Sequence, residues 1–323
     1  MMKSVVVAML GVALSLPSIP SNAQAYPVKP IRTLIGFPTG NTMDLVARMI
    51  GAKISETIGQ PVIVENRLGA GGGIAAEQTA RAAPDGYTVL FASPSTHVTN
   101  VLLSKTVPYD PVKDFTPISP VAEAVLCVVV SATLPVKAMQ ELIAYARNNP
   151  GKLSYGSIGT GGTFHFVGEA IKAAAGIDIL HVPYKGTGPV LTDMTSGLIQ
   201  VGFLNLATSM PFIRSGKVRL LAMTDSQRYA GFPDIPTVQE VVPAYQSPSA
   251  WFGYYGPAAM PAALVRRLNA EIRTALSAAD LSRKMDESAL RVILGSPEDL
   301  AALQARSMVA YSVAAKAAGL KPE

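Results

Sequence analysis

Two short loops carry the residues best suited to do chemistry. The first is Phe37-Pro38-Thr39-Gly40-Asn41-Thr42-Met43-Asp44, and the second is Gly156-Ser157-Ile158-Gly159-Thr160-Gly161-Gly162-Thr163-Phe164-His165. Each follows a short β-type run and opens a helical pattern, with glycines and hydroxyl residues crowded where the helix begins. Such a turn leaves backbone N–H groups unsatisfied at the positive end of a helix dipole, which suits an anion. Gly/Ser/Thr turns also cap helices with no ligand present, so one such loop says little. Two of them, about 120 residues apart, predict two α/β lobes that face one ligand.

Three further stretches compete for a chemical role. Ser93-Pro94-Ser95-Thr96-His97 follows a third strand-like run, and His97 there is either a ligand donor or a cap for the next helix. Ser157 in Tyr155-Gly156-Ser157-Ile158-Gly159 imitates a nucleophile elbow, with His165 or His181 as its base. The elbow needs a glycine where Tyr155 stands, so the hydrolase reading is the weaker one. Gly69-Ala70-Gly71-Gly72-Gly73-Ile74 imitates a dinucleotide loop, but Ile74 occupies the last glycine's place and the run follows the second strand instead of the first. A flexible turn is the better account. Asp44 in a first helical turn reads as a dipole partner, Lys185 as a solvated charge, and Trp251 and Phe252 as core. No His/Asp/Glu cluster has metal-ligand spacing, and the single Cys127 excludes an internal disulfide and a thiolate cluster. No metal and no cofactor are expected.

The elements that must position these loops alternate. Residues 31–37 read as a strand, 43–59 as a helix ended by Gly59, 61–65 as a strand, 74–83 as a helix and 87–92 as a strand. This is the pattern of a parallel sheet with crossover helices, whose ligands sit beyond the strands' carboxyl ends. A hinge-like approach leads to the apolar run 125–130, where Cys127 reads as a buried strand residue. A second series follows: helix 138–148, strand 153–156, helix 164–175, and strands 179–183, 199–204 and 218–223. Residues 226–243 are rich in turn formers. Strand 251–255 and helices 264–275 and 297–317 close the chain. The α/β pattern restarts near residues 123–127 and returns near 223–226, which predicts two crossings between lobes.

The N-terminus reads as an export signal. Lys3 precedes the apolar run 5–16, Pro17 and Pro20 break it, and Ala23-Gln24-Ala25 fits the small-x-small rule, which predicts cleavage after Ala25 and a mature start at Tyr26. The run is shorter than the ~18 apolar residues of a membrane span. A formal net charge of +5 with no Lys/Arg block gives nucleic-acid binding little support, and a mildly basic surface is compatible with an anionic small ligand. With 49% apolar residues and only 15% charged, the chain can build a sizeable core without disulfides.

Taken in order, these residues resemble a known family. The matches run from Tyr26-Pro27-x-Lys29-Pro30 through Gly40-x-x-x-Asp44-x-x-Ala47-Arg48, Gly59-Gln60-Pro61-Val62-x-Val64-Glu65-Asn66-Arg67, Gly69-Ala70-Gly71-Gly72 and Pro84-Asp85-Gly86-Tyr87-Thr88. They continue in Tyr155-Gly156-Ser157-x-Gly159-x-Gly161, His181-Val182-Pro183-Tyr184-Lys185-Gly186, Pro233-Asp234-Ile235-Pro236-Thr237, Trp251-Phe252-Gly253 and Pro257-x-x-x-Pro261. The chain resembles the Bug-type solute receptors, the extracytoplasmic binding proteins of tripartite tricarboxylate transporters. The resemblance implies an α/β, two-lobed periplasmic binding protein (type II, a "Venus flytrap") with two crossing strands. It places lobe 1 at residues 26–124 plus 226–323 and lobe 2 at 125–225.

It also implies a small carboxylate held by both lobes. The expected contacts are Phe37, Thr39, Gly40, Asn41 and Thr42, then Ser93, Ser95, Thr96 and His97. Opposite them stand Ser157, Thr160, Gly161, Gly162, Thr163, His165, Tyr184 and Asn205. The implied partners are the membrane subunits of such a transporter, with the receptor itself a monomer; a sensor for a signalling partner is the alternative. Two departures stand out. Asn41 replaces the second of two adjacent glycines, so its amide is expected near the pocket. Leu204 stands where the family often has an aspartate, which is expected to disfavour an ammonium-bearing ligand.

Overall fold

The computed structural model describes residues 26–322, so the export signal expected at 1–25 lies outside the described residues. Two mixed sheets organise the chain. The first contains β1 (Ile31–Ile35), β2 (Val62–Asn66), β3 (Thr88–Ala92), β4 (Phe115–Ala124), β10 (Ala250–Pro257) and β11 (Leu290–Val292), in the order β11-β4-β10-β3-β1-β2. The second contains β5 (Leu126–Ser131), β6 (Ser154–Ser157), β7 (Leu180–Pro183), β8 (Val201–Asn205) and β9 (Val218–Met223), in the order β7-β6-β8-β5-β9.

The wholly parallel sheet read from the alternation is corrected by the strands next to β3. β1 pairs in parallel with β2 and β3, but β10 runs antiparallel to both β3 and β4. Likewise β6 is parallel to β7 and β8, whereas β5 is antiparallel to β8 and β9. The parallel halves are those that carry the two glycine-rich loops at their strands' carboxyl ends, where open α/β sheets bind ligands.

Local sequence explains the supporting helices. In α1 (Thr42–Ile58), Met43, Val46, Ala47, Ile50 and Ile54 are buried at helical spacing, and Gly59 closes the helix with φ +67. In α5 (Thr163–Ala175), Phe164, Phe166, Val167, Ala170 and Ile171 are buried and Gly176 ends it at φ +61. The last helix, α11 (Pro297–Ala317), starts from a reciprocal capping box between Ser296 and Asp299 with Pro297 in its first turn.

The passage between sheets is short. Val125 is fully buried; its N–H donates to Ala289 O (2.9 Å) and its carbonyl accepts from Leu206 N (2.9 Å). The return follows β9, where Met223 N donates to Pro236 O and Thr224 N to Leu126 O, both at 2.9 Å. Helices α3 (Asn100–Leu103), α6 (Thr187–Ser196), α7 (Leu206–Arg214) and α10 (Ala279–Glu287) occupy segments that the sequence pattern left as connections.

Candidate ligand-binding site

The first loop is held by an internal carboxylate. Asp44 is buried, and its oxygens accept from Gly40 N (2.9 Å), Arg48 and Asn66 Nδ2 (2.9 Å). The Arg48 guanidinium, followed by the Gly40 and Asn66 donors, holds this carboxyl down at about 2. Asn66 at the end of β2 also donates to Phe37 O (2.9 Å) and accepts from Thr39 Oγ1 (3.2 Å), so the loop is anchored at three points. Asn41 is engaged by the helix it precedes. Its backbone is extended (φ −77, ψ 170) and its Oδ1 accepts from Asp44 N at 2.9 Å as the N-cap of α1, while Gly40 takes the left-handed angle at φ +83. Thr39, Gly40 and Thr42 are exposed at the loop tip.

The second loop is built differently. No side chain caps α5; its N-cap is Gly162, and the first intrahelical bond runs from Phe166 N to Gly162 O (3.1 Å). The amides of Thr163, Phe164 and His165 precede that bond, which makes this the open helix terminus of the two. Gly159 and Gly161 take φ +127 and +75, angles that side-chain-bearing residues rarely adopt. Beneath the loop, Gly161 N donates to His165 Nδ1 (3.1 Å), and Ser157 Oγ sits 2.7 Å from His181 Nε2. The two imidazoles stack with centroids 4.0 Å apart. Burial and the neighbouring His165 push His181 down to about 4, and burial also lowers His165. Both rings are therefore neutral at physiological pH, which lets His165 Nδ1 act as an acceptor.

The third expected stretch is corrected in part. His97 is fully buried and packs on Phe115, Trp251 and Tyr255, with ring centroids 4.7, 6.4 and 4.1 Å away. Burial pushes it down to about 3, so it is a neutral core ring that no ligand reaches in this conformation. Thr96 is likewise buried, its Oγ1 donating to Ser93 O (3.0 Å). Ser93 is buried, and half-buried Ser95 donates to Gly71 O (2.8 Å). The helical pattern placed these residues in one loop but could not say that they wind as a wide π-type turn, Ser95–Thr99, which rotates His97 inward.

On the second sheet, Asn205 caps α7 by accepting from Ala207 N (2.9 Å). Half-buried Tyr184 donates its hydroxyl to Asp193 (2.7 Å); burial and that carboxylate raise it to about 12. Leu204 is fully buried and pairs with Cys127 across β8 and β5. Lys185 is exposed, and Trp251 and Phe252 are core.

Sequence reasoning missed the residues that join the two halves. A Cβ at Gly161 would stand 2.7 Å from Leu103 Cδ1, so α3 of the first sheet's side meets the second loop directly. Tyr311 of α11 lies 3.1 Å from Thr163 Oγ1 and donates to Ser249 O (3.1 Å), and its ring packs edge-on to Phe166 at 5.0 Å. The turn Gly69–Gly73 is packed, not loose. Gly72 Cα would lie 2.2 Å from a Cβ on Gly36, and Asn100 Nδ2 donates to Ala70 O (2.9 Å). The glycine run was the visible signal; its partners, Gly36 after β1 and Asn100 of α3, were not.

The Ser157–His181 pair has the distance of a nucleophile and base. However, Ser157 is fully buried and also engages Gly159. Among the described residues no carboxylate hydrogen-bonds His181 to orient it. The nearby Glu169 is occupied by Tyr155 OH (2.8 Å) and Lys172 (2.9 Å). The arrangement suits positioning of the loop, not attack.

Comparison with known proteins agrees with this geometry. Residues 46–317 match the model of the "Tripartite tricarboxylate transporter family receptor". Protein BugT of Bordetella pertussis is 31% identical over 280 residues, covering 86% of each chain. The R. palustris protein Rpa4515, solved with adipate, is 34% identical with TM-score 0.76, covering 92% of this chain and all of that one. MatC of Rhodopseudomonas palustris, solved with bound malate, is 30% identical with TM-score 0.71, covering 90% of this chain and 99% of that one. A two-lobed α/β chain with an open helix terminus facing the other lobe thus belongs to the tripartite tricarboxylate transporter receptor family.

Proposed function

We propose that this chain is exported to the periplasm, cleaved after Ala25, and captures a small dicarboxylate such as adipate or malate as a monomer for its transporter's membrane subunits. Lobe 1 is residues 26–124 plus 226–323 and lobe 2 is residues 125–225. The observation that carries the reading is the uncapped first turn of α5 behind Gly159–Thr163, met from the first sheet's side by Leu103 and Tyr311. One carboxylate fits the α5 amides and Thr163. The other faces the exposed Thr39–Thr42 tip, whose own anion requirement Asp44 already meets in part. What this tip still offers a second carboxylate is the exposed hydroxyls of Thr39 and Thr42; the choice of a dicarboxylate rests on the relatives solved with adipate and malate. The ligand leaves unchanged, because Ser157 is buried and its His181 lacks an orienting acid.

The test is thermal denaturation of the mature chain with adipate, malate and matched monocarboxylates. A ligand at about 100 times its Kd stabilises the folded state by about 2.7 kcal/mol, a shift of several degrees. No shift with any carboxylate overturns the reading, and conversion of the bound acid to product overturns its non-catalytic part.

A further inference from the structure

One cluster of charged groups lies away from the ligand loops, on the crossings themselves. Arg291 stands on β11 directly opposite Glu123 near the end of β4. Its Nη2 donates to Asp225 Oδ2 at 2.8 Å, and its Nη1 lies 3.6 Å from Glu123 Oε2. Glu123 precedes Val125, where the chain passes into the second sheet; Asp225 follows β9, where it returns. One guanidinium therefore touches both connections, from a strand that belongs to the first sheet. That strand is itself tied to the crossing: Ala289 O accepts from Val125 N (2.9 Å), and Ala289 holds φ +49, a strained angle for a residue with a side chain.

Asp225 is only 3% exposed, and its neighbours give it little help beyond Arg291. Groups facing it are Glu123 on β4, Arg291 on β11, Cys127 on β5 and Tyr245 in the segment before β10. The hydroxyls of Thr224, Tyr245, Ser247 and Ser249 around the same place are buried without a hydrogen-bond partner. A groove of about 720 Å³ opens over the cluster, with Asp299 and Arg306 of α11 on its far wall. Two carboxylates thus share one arginine, and only one of them is in hydrogen-bond contact.

We infer that Arg291 clamps the two interlobe crossings together through Glu123 and Asp225, and that protonation of Asp225 loosens the second crossing and shifts the balance between lobe arrangements. The inference rests on the lobe boundaries given above, not on the identity of the ligand. Burial, set against the pull of Arg291, raises the Asp225 carboxyl to about 7. Above that pH the carboxylate is ionised and paired with Arg291. Below it the acid is neutral: its carbonyl oxygen still accepts from Arg291, but the pair loses its charge assistance and weakens, while the longer contact to Glu123 is unchanged. Two crossings allow a hinge motion, and a bistable hinge responds to small changes in such contacts.

Nitroxide labels at Ala52→Cys in α1, beside the first sheet, and at Lys152→Cys in the turn before β6 of the second, both exposed, report the interlobe distance by electron–electron double resonance. The ligand-free protein is measured from about pH 5.5 to about pH 8.5. The expected result is a change in the distance distribution with a midpoint near neutrality. That step disappears in Asp225→Asn and in Arg291→Gln; in Glu123→Gln it is smaller and its midpoint moves to lower pH, because half of the clamp and a charge that raises Asp225 are both gone. A flat profile in the labelled parent overturns the clamp, as does a step that survives Asp225→Asn. If Asp225→Asn does not fold, Arg291→Lys decides: it retains charge but loses the two-sided reach, so an unaltered step overturns the proposal. Because no ligand is added, failure here leaves the carboxylate reading standing, and failure of carboxylate binding leaves this test intact.

Discussion

At the scale of single residues, buried charge holds the first loop in place. Asp44 accepts from Gly40, Arg48 and Asn66 together, so Asp44→Asn removes a charge-assisted contact and leaves donors unmatched. A loss on the order of 1.5–3 kcal/mol follows, read as a lower Tm together with weaker ligand binding through a loosened first loop. The pH dependence has a definite sign. The folded carboxyl is depressed to about 2, so its stabilisation is present above the ordinary aspartate value near 4 and is lost as pH falls toward 2. Asp44→Asn therefore flattens the Tm profile in that window; a variant with the parent's profile shows that the network contributes nothing. Sequence made Asp44 legible as a helix-terminus charge, because the spacing from Gly40 and Arg48 is local. Asn66, which completes the network, is 22 residues away, and no short-range pattern pairs them. His97 shows the same limit: its loop was legible, but its burial under Phe115, Trp251 and Tyr255 depends on three distant strand residues.

At the scale of elements, regular periodicity was readable and irregular strands were not. The helices at 42–58 and 297–317 declare themselves through caps and apolar spacing. β4 does not, because Phe115–Ala124 contains Pro117 and Pro120, which normally argue against a strand. The structure accommodates them because β11 pairs only with residues 122–124. Around the prolines β4 has a strand neighbour on one side alone, and its register with β10 shifts there. α11 was legible as a helix, yet its role as a strut between sheets was not, since that depends on Tyr311 reaching Thr163 and Ser249. Tyr311 is fully buried, so Tyr311→Phe keeps the packing on Phe166 and deletes only the hydroxyl. The expected outcome is a two- to ten-fold weaker Kd for the carboxylate that stabilises the parent, on the order of 0.5–1.5 kcal/mol for one neutral hydrogen bond, with a small change in Tm. Calorimetric titration that finds unchanged affinity would remove Tyr311 from the binding apparatus.

At the scale of the whole molecule, the question is whether ligand brings the lobes together. One point where the two sides meet is between Gly161 and Leu103, where an added Cβ would come within 2.7 Å of the leucine methyl. Gly161→Ala then has two separable effects. It forces a side chain into φ +75, a local cost of about 1–2 kcal/mol, and it pushes against α3 across the cleft. In the parent, a saturating concentration of the carboxylate that stabilises it should reduce the radius of gyration measured by X-ray scattering, since a ligand held by both lobes stabilises the closed form. In Gly161→Ala the reduction should be smaller and the affinity lower. Leu103→Ala distinguishes the causes, because it removes the methyl that the new Cβ meets and does nothing for the backbone angle. If the double variant recovers compaction, the contact between lobes limits closure; if it behaves as Gly161→Ala alone, loop strain does. A parent whose profile does not change at saturating carboxylate, with Gly161→Ala binding as tightly as the parent, would place the ligand within one lobe.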